Sequence, residues 1–356
     1  MNMTTRELLL KHYKSFPCLQ AEDIFKFLFQ SSFGCEHLVS DEAAVLQFIK
    51  KEYAEAPKDA VPFTDELDGE YSRVYLSWLN AGLSPETLAR LFCLSAKTEG
   101  EGKERLFGKL ETARELIANG EIPLNEEEFE RKLNEWKKDG CPAIHHSRIF
   151  RSTYKPAYRV ISSRFSEFLP IFAELDRRLA SGNVIVAIEG GSASGKTTLS
   201  GILTALYDCN IFHTDDFFLR PEQRTPERFS EIGGNLDRER FYEEVTEPLA
   251  KNEAVCYRPF DCSLQALGEP IAVSPSRLTI VEGVYSTHSY FGKYYDFSVF
   301  LDIEPELQKK RIEKRNSPAL ARRFFGEWIP LENIYFEKTE IKSRADLIIP
   351  IKNKSR

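Results

Sequence analysis

Residues 190–198 have the sequence Gly-Gly-Ser-Ala-Ser-Gly-Lys-Thr-Thr, which matches the phosphate-binding pattern GxxxxGK[ST] and leaves few folds open to the chain. The apolar run 184–188 before this loop predicts a buried strand, and residues 198–206 after it predict a helix. This strand–loop–helix context distinguishes a phosphate-binding loop (P-loop) from a glycine-rich turn that binds nothing. The sequence therefore predicts a nucleoside triphosphate site.

The loop residues have separate expected roles at that site. Main-chain amides and the helix N-terminus supply positive potential to phosphate oxygens. Lys196 can reach the β- and γ-phosphates, and the Thr197 hydroxyl can bind Mg²⁺. The predicted ATP-binding residues of the loop are Gly190, Gly191, Ser192, Ala193, Ser194, Gly195, Lys196, Thr197 and Thr198.

Composition narrows the class of protein. A length of 356 residues allows two domains. The net charge of −7 argues against a nucleic-acid partner, and no apolar run approaches the roughly 18 residues that span a membrane. Seven scattered cysteines, an odd number, do not indicate a disulfide framework. These features predict a cytoplasmic enzyme with reduced cysteines and a small-molecule substrate. They do not decide whether the protein is a homo-oligomer.

The two halves of the chain differ in pattern. The sequence of residues 1–165 predicts a mainly α-helical domain without strand alternation. A helix is predicted over residues 155–179, and residues 166–182 are the predicted linker helix to the second half. Residues 183–356 predict an α/β P-loop NTPase domain, a parallel sheet flanked by helices. Its expected strands are 184–189, 210–213, 278–282, 297–302 and 346–349, and its expected helices lie near 197–207, 238–250, 304–315 and 331–342.

Carboxylates follow two of the predicted strands. Asp215 and Asp216 come after the strand 210–213, and Glu282 ends the strand 278–282. Ligands of parallel α/β sheets bind at the carboxyl ends of the strands, so these acids suit Mg²⁺ coordination or deprotonation of an acceptor hydroxyl. The alternative for the aspartate pair is a helix N-cap, which Asp fills readily.

These segments together resemble the group of P-loop small-molecule kinases that contains uridine kinase, phosphoribulokinase, pantothenate kinase and nicotinamide riboside kinase. The resemblance covers roughly residues 183–350 and is strongest to bacterial uridine kinase-like proteins. It is carried by the segments 190–198, 214–218 and 280–283, with further similarity at 233–241 and 328–332.

The resemblance implies a kinase that uses ATP and Mg²⁺ and assigns roles to several residues. Asp215 corresponds to the base that receives the acceptor proton, Glu282 lies near metal and substrate, and Asp237 holds ribose hydroxyls. Asp216, Tyr257 and Asp261 belong to the implied substrate site, although Tyr257 could equally be core packing.

The basic run 309–315 resembles the mobile lid of these kinases, whose arginines close over the ATP phosphates. Cationic side chains stabilise the charge that spreads over a phosphoryl group in transfer, which favours this role for Arg311 and Arg315. The alternative is a solvated helix face with ordinary ion pairs. For Arg322 and Arg323 the two interpretations are evenly balanced.

Two other functions stay open at this level. One is an ATP-hydrolysing switch whose helical N-terminal domain senses a ligand or a partner. The other is a kinase of polynucleotide ends, against which the acidic balance argues. In the N-terminal half, Cys35, His37, Cys141 and His145 are residue types that bind zinc, but their spacing does not fit the usual clips and favours structural roles.

Overall fold

The computed structural model describes residues 3–35, 41–96 and 102–352. The chain divides into two compact units, and the division falls between Arg177 and Arg178, inside the segment predicted to be a linker. None of the described helices combines the length and the apolar character that crossing a bilayer needs.

The N-terminal unit is built mainly from helices, as predicted. Ser84 and Asn125 accept from backbone N–H groups three residues on and begin two of these helices. The aromatic side chains of Phe25 and Trp136 stack in its core, with ring centroids 5.1 Å apart. The helices are α1 (Thr5–Ser15), α2 (Ala21–Phe33), α3 (Glu42–Glu55), α4 (Pro85–Ser95), α5 (Gly102–Ala118), α6 (Glu126–Lys138), α7 (Arg148–Tyr154), α8 (Ser163–Ser166) and α9 (Leu169–Leu179).

An antiparallel sheet in this unit was not predicted. Its strands β1 (Thr64–Glu66), β2 (Tyr71–Tyr75) and β3 (Tyr158–Ser162) pair in the order β1-β2-β3. The sequence shows no strand alternation in this half because these strands are short and β2 is buried on both faces. A buried strand shows no polar–apolar alternation.

The single helix predicted over residues 155–179 was also wrong. Lys155 ends α7 in the left-handed region, with φ +43°, and Pro156 cannot continue the hydrogen bonding of the helix. The chain then forms β3, which contains the β-branched Val160 and Ile161, before it enters α8 and α9.

The C-terminal unit contains a five-stranded parallel sheet flanked by helices, which confirms the predicted strands. The strands of this sheet are β4 (Val184–Gly190), β5 (Cys209–His213), β10 (Leu278–Glu282), β11 (Phe297–Ile303) and β12 (Leu347–Ile351), in the order β12-β11-β4-β10-β5. Two small antiparallel pairs were not predicted; they consist of β6 (Val255–Tyr257), β7 (Phe260–Asp261), β8 (Ala266–Leu267) and β9 (Ile271–Val273).

Helices occupy each of the four predicted regions of this unit. The region near 238–250 is continuous but contains a π-helical stretch, Tyr242–Thr246, and a second π-helical stretch, Phe324–Trp328, precedes α16. The α-helices are α10 (Lys196–Leu206), α11 (Pro226–Ser230), α12 (Arg238–Phe241), α13 (Glu247–Ala250), α14 (Pro305–Arg315), α15 (Pro318–Arg323), α16 (Ile329–Thr339) and α17 (Ile341–Arg344).

Gly283, directly after β10, lies where a side chain has no space. Its φ is +144°, and a Cβ atom would lie 1.8 Å from Oγ1 of Thr214, which itself donates to the Val284 carbonyl at 3.0 Å. We expect Gly283→Ala to lower the free energy of unfolding by about 2–4 kcal/mol, through backbone strain and overpacking. Chemical denaturation followed by circular dichroism measures this loss.

Gly201 provides the matched control, because it is exposed in the middle of α10 and a Cβ atom there meets open space. Gly201→Ala should leave stability unchanged or raise it by up to ~1 kcal/mol, since alanine favours the helix. Equal stability of the two variants would contradict the packing argument at Gly283.

Candidate active site

Three neighbouring strands bring the predicted site residues to one edge of the parallel sheet. Strand β10 pairs with β4 on one side and with β5 on the other, and Glu282 is aligned with Ile188 and with His213. The P-loop follows β4, and Asp215 follows β5. The ends of parallel strands therefore place the loop and the two acidic segments side by side.

The P-loop has the local geometry that its sequence predicts. Gly195, with φ +109°, precedes α10, whose first residues are Lys196 and Thr197. The Nζ atom of Lys196 donates to the carbonyl groups of Gly190 and Gly191 at 2.8 and 3.2 Å. The loop thus curves around the side chain of its own lysine. It leads directly into the N-terminus of an eleven-residue helix, which supplies positive potential.

Glu282 connects the P-loop to the end of β5. Its Oε1 accepts from the Thr197 hydroxyl at 3.0 Å and lies 2.7 Å from Nδ1 of His213. Burial acts to raise the pKa of Glu282, but His213, Lys196 and Thr197 outweigh it and lower that pKa. The same contact with Glu282 raises the pKa of His213. A carboxylate and a hydroxyl oxygen at this distance fit Mg²⁺, which prefers hard oxygen ligands.

Asp215 and Asp216 lie in a 3₁₀ turn, Thr214–Phe217. The side chain of Asp215 is accessible to solvent, but protein atoms surround it closely enough to remove part of its hydration, which raises the pKa of its carboxyl. Glu282 raises this pKa further, whereas Lys196 opposes the rise. Asp215 is therefore a stronger base than an ordinary aspartate. Burial also raises the pKa of Asp216, which hydrogen-bonds Tyr257.

The other predicted substrate residues lie in different surroundings. Asp237 is buried and caps the N-terminus of α12. Its Oδ2 lies 3.9 Å from Nε of Arg240 and 4.0 Å from Nε of Arg220. This oxygen has no hydrogen-bond partner in the described part of the chain. Tyr257 is buried, and its ring centroid lies 5.6 Å from that of Phe217, which agrees with a role in core packing. Its hydroxyl nevertheless hydrogen-bonds Asp216.

Asp261 has a local structural role. Its Oδ1 accepts from the amides of Ser263 and Leu264 at 2.7 and 3.1 Å and from the Ser263 hydroxyl at 2.5 Å. These bonds stabilise the turn that links β7 to β8. Its predicted contact with a substrate stays a prediction, and the turn accounts for the residue without one.

Helix α14 carries the predicted lid arginines and contacts the P-loop. Nη1 of Arg311 donates to the carbonyl groups of Ala193 and Ser194 at 3.0 and 3.2 Å, and Gln308 donates to Ser192 O at 2.9 Å. Arg311 is therefore not part of a solvated helix face. This contact explains how α14 is held against the loop.

Two other arginines of this region, Arg315 and Arg323, lie against aromatic rings. The guanidinium of Arg315 lies 5.5 Å from the Phe324 ring centroid, and its charge acts on Asp215. Arg323 lies 5.1 Å from the Trp328 ring and pairs with Glu327. Their roles in closing over a nucleotide stay predictions.

Two buried glutamates were missed in the sequence. Glu189, the last residue before the loop glycines, accepts through its two oxygens from Tyr285 N, Ser286 Oγ, Thr287 N, Thr287 Oγ1 and Tyr335 Oη. Burial raises its pKa. The signal was present as an acid at the end of an apolar strand. The bonds fix the end of β4 to the segment that follows β10.

Glu332, on α16, was the second omission. It is buried and accepts from the Ser192 amide at 2.8 Å and from the Ser192 hydroxyl. Burial raises its pKa, and Lys196 and Asp215 both act on it electrostatically. One amide of the anion-binding loop is thus bonded to a protein carboxylate. The only signal in the sequence was the segment 328–332.

The zinc set considered for the N-terminal half receives no support. His37 lies outside the described residues, and Cys35 is buried with its thiol 3.7 Å from Phe92 O. Within residues 3–35, 41–96 and 102–352, no three His, Cys, Asp or Glu side chains are grouped so that they could hold a metal ion.

Comparisons with known proteins give similarity over about half of the chain. No family model and no curated protein matches it. Solved structures similar to it include a possible uridine kinase from Bacillus stearothermophilus, at 21% identity over 49% of this chain and 96% of that one, with a TM-score of 0.39. Shikimate kinase from Bacteroides thetaiotaomicron is 19% identical over 47% and 86%, with a TM-score of 0.28. Both of these proteins are described as kinases, the first as a possible one, and each match covers about half of this chain.

The contact between Glu332 and Ser192 leads to a prediction about ATP binding. The carboxylate holds a loop amide and adds negative charge next to an anion site. We expect Glu332→Gln to bind ATP about tenfold more tightly, because a charged hydrogen bond and a repulsion are both weakened. Isothermal titration calorimetry with ATP measures the change.

Glu337→Gln is the matched control, because Glu337 is exposed on the same helix. Its ATP affinity should equal that of the unmodified protein. Weaker ATP binding by Glu332→Gln would show instead that the carboxylate maintains the shape of the loop.

Proposed function

We propose that the C-terminal unit is an ATP- and Mg²⁺-dependent kinase that transfers the γ-phosphoryl group to a hydroxyl of a small metabolite, with a uridine-like nucleoside as the substrate class to test first. The observation that carries this proposal is the convergence of three strand ends. They bring together the P-loop lysine, a carboxylate bonded to the P-loop threonine, and an accessible aspartate of raised pKa.

The P-loop side of the site binds the donor. Lys196 would exchange its bonds to the loop carbonyls for bonds to the β- and γ-phosphate oxygens of ATP. Thr197 and Glu282 would hold Mg²⁺, which neutralises phosphate charge when it is bound. Arg311, bonded to the loop carbonyls, adds positive charge at its edge.

Asp215 acts on the acceptor. It orients the acceptor hydroxyl in line with the γ-phosphorus and takes its proton as the new O–P bond forms and the bond to the departing ADP oxygen breaks. A raised pKa suits this role, because a stronger base accepts the proton more readily. Positioning supplies most of the rate, since the transition state is loose.

Unsatisfied polar atoms next to Asp216 support a hydroxylated acceptor. Asp237 Oδ2 is a buried acceptor and Nε and Nη1 of Arg240 are donors, and none of the three atoms has a hydrogen-bond partner among the described residues. Oδ2 and Nε form an ion pair at 3.9 Å, longer than a hydrogen bond. Nη2 of Arg240 donates to Asp216 O at 3.0 Å, which ties this pair to the catalytic turn. A hydroxyl can donate to the carboxylate and accept from the guanidinium together, as sugar hydroxyls do.

The test is the substitution Asp215→Asn. Removing the base should lower acceptor-dependent transfer by about 10²- to 10⁴-fold, whereas ATP affinity should stay nearly unchanged because the P-loop is intact. A coupled ADP-release screen over nucleosides, ribosides and small alcohols measures transfer, and calorimetry measures ATP binding.

Asp208→Asn, a change at an exposed aspartate of the turn before β5, is the control and should retain transfer. An equal loss of ATP affinity in Asp215→Asn would contradict the assignment of the base. ADP release that is independent of every acceptor would favour the ATP-hydrolysing switch instead.

A further inference from the structure

A buried polar cluster lies on one face of the antiparallel sheet of the N-terminal unit. In the register of the sheet, Asp65 of β1 is opposite Arg73 of β2, and Tyr75 of β2 is opposite Tyr158 of β3. Because alternate residues of a strand share a face, these four side chains lie together. They are joined by polar side chains of α1 and α2, namely His12, Asp23, Lys26 and Gln30.

Arg73 is the centre of this cluster and is completely buried. Its Nε donates to Gln30 Oε1 at 2.8 Å, and its Nη1 lies 3.5 Å from Asp65 Oδ2. The rings of Phe27 and Tyr158 lie 5.3 and 4.8 Å from its Cζ atom. Its Nη2 has no hydrogen-bond partner in the described part of the chain. A buried, charged donor without a hydrogen-bond partner lowers the stability of the folded protein, so an acceptor for Nη2 is expected.

A second donor near Arg73 is also unsatisfied. The Tyr75 hydroxyl is buried and has no partner among residues 3–35, 41–96 and 102–352, and the charge of Arg73 acts on it. Lys26 adds another cation, bonded through Nζ to the Ile144 carbonyl at 2.9 Å. Burial lowers the pKa of Lys26 to about 8, so it is still mainly charged at neutral pH.

The two carboxylates of the cluster face other groups. Asp65 Oδ2 lies 3.1 Å from Nδ1 of His12 as well as 3.5 Å from Arg73. Asp23 accepts four hydrogen bonds at 2.7–3.0 Å, from Gln20 N, Ser147 N, Ser147 Oγ and His146 Nδ1. Asp65 Oδ2 also has no hydrogen-bond partner among the described residues, and neither Asp65 nor Asp23 hydrogen-bonds Nη2 of Arg73 or the Tyr75 hydroxyl. These two donors therefore have no acceptor among the side chains of the cluster.

We propose that the N-terminal unit contains a binding site for a small oxyanion, a carboxylate or a phosphate monoester, with Nη2 of Arg73 and the Tyr75 hydroxyl as its two donors. A guanidinium edge next to a phenol hydroxyl matches two oxygens of such a group. The aromatic rings of Tyr75 and Tyr158, 5.3 Å apart and both half-buried, can contact the adjoining part of the ligand. Phe63, 40% exposed and 4.9 Å from the Tyr75 ring, extends this wall.

The experiment measures anion binding to the full chain by thermal unfolding and calorimetry. Inorganic phosphate and acetate are titrated at constant ionic strength against chloride, in a Lys196→Ala background that weakens anion binding at the P-loop. We expect saturable stabilisation by phosphate or acetate, and the stronger of the two identifies the class of ligand. Tyr75→Phe should lower the affinity for that anion about tenfold, because it removes a hydrogen bond to a charged group.

Two further variants make the result decisive. Tyr154→Phe is the matched control: the Tyr154 hydroxyl accepts from Cys18 N at 2.9 Å, so its loss should lower stability without changing the anion affinity. Arg73→Lys should abolish anion binding; if that variant does not fold, Tyr75→Phe decides. The proposal is overturned if phosphate and acetate stabilise no more than chloride, in which case buried water satisfies the donors. It is also overturned if Tyr75→Phe binds the anion as tightly as its parent.

Discussion

The parallel pairing of β10 between β4 and β5 is the interaction on which the C-terminal unit depends. The backbone hydrogen bonds of the sheet place Glu282 opposite Ile188 on one side and opposite His213 on the other. Residues far apart in the sequence therefore lie side by side at one edge of the sheet. The polar side chains at the strand ends do not have to establish this alignment, because the register of a sheet is set by the apolar side chains that it buries. The chemistry then needs only polar residues at the strand ends.

Negative charge is concentrated around a loop made to bind anions. Glu189, Glu282 and Glu332 are all buried, and each is stabilised by donors from a different segment. Burial alone would favour their neutral forms, and only for Glu282 do the neighbouring groups outweigh it. The three carboxylates thus have different roles. Glu189 fixes the end of β4, Glu282 is placed to bind a metal ion, and Glu332 accepts from a loop amide.

Much of the C-terminal unit was predictable because its signals are local. A P-loop needs its glycines, its lysine and its flanking elements in immediate succession, and the acids of a site follow directly on apolar strands. The partners of Glu332 and Glu189 lie 140 and about 100 residues away, and no local pattern encodes them. In the N-terminal unit, β2 is buried but contains the polar Ser72 and the charged Arg73, so its sequence shows neither an apolar run nor a polar–apolar alternation.

The lysine of the P-loop is held by the carbonyl groups of its own loop. The loop therefore loses most of its conformational entropy when the protein folds, and little more when a ligand binds. An incoming triphosphate exchanges a few hydrogen bonds and does not have to organise a disordered segment. Association should accordingly be fast and only weakly dependent on temperature, and differences in affinity among nucleotides should appear mainly in their dissociation rates.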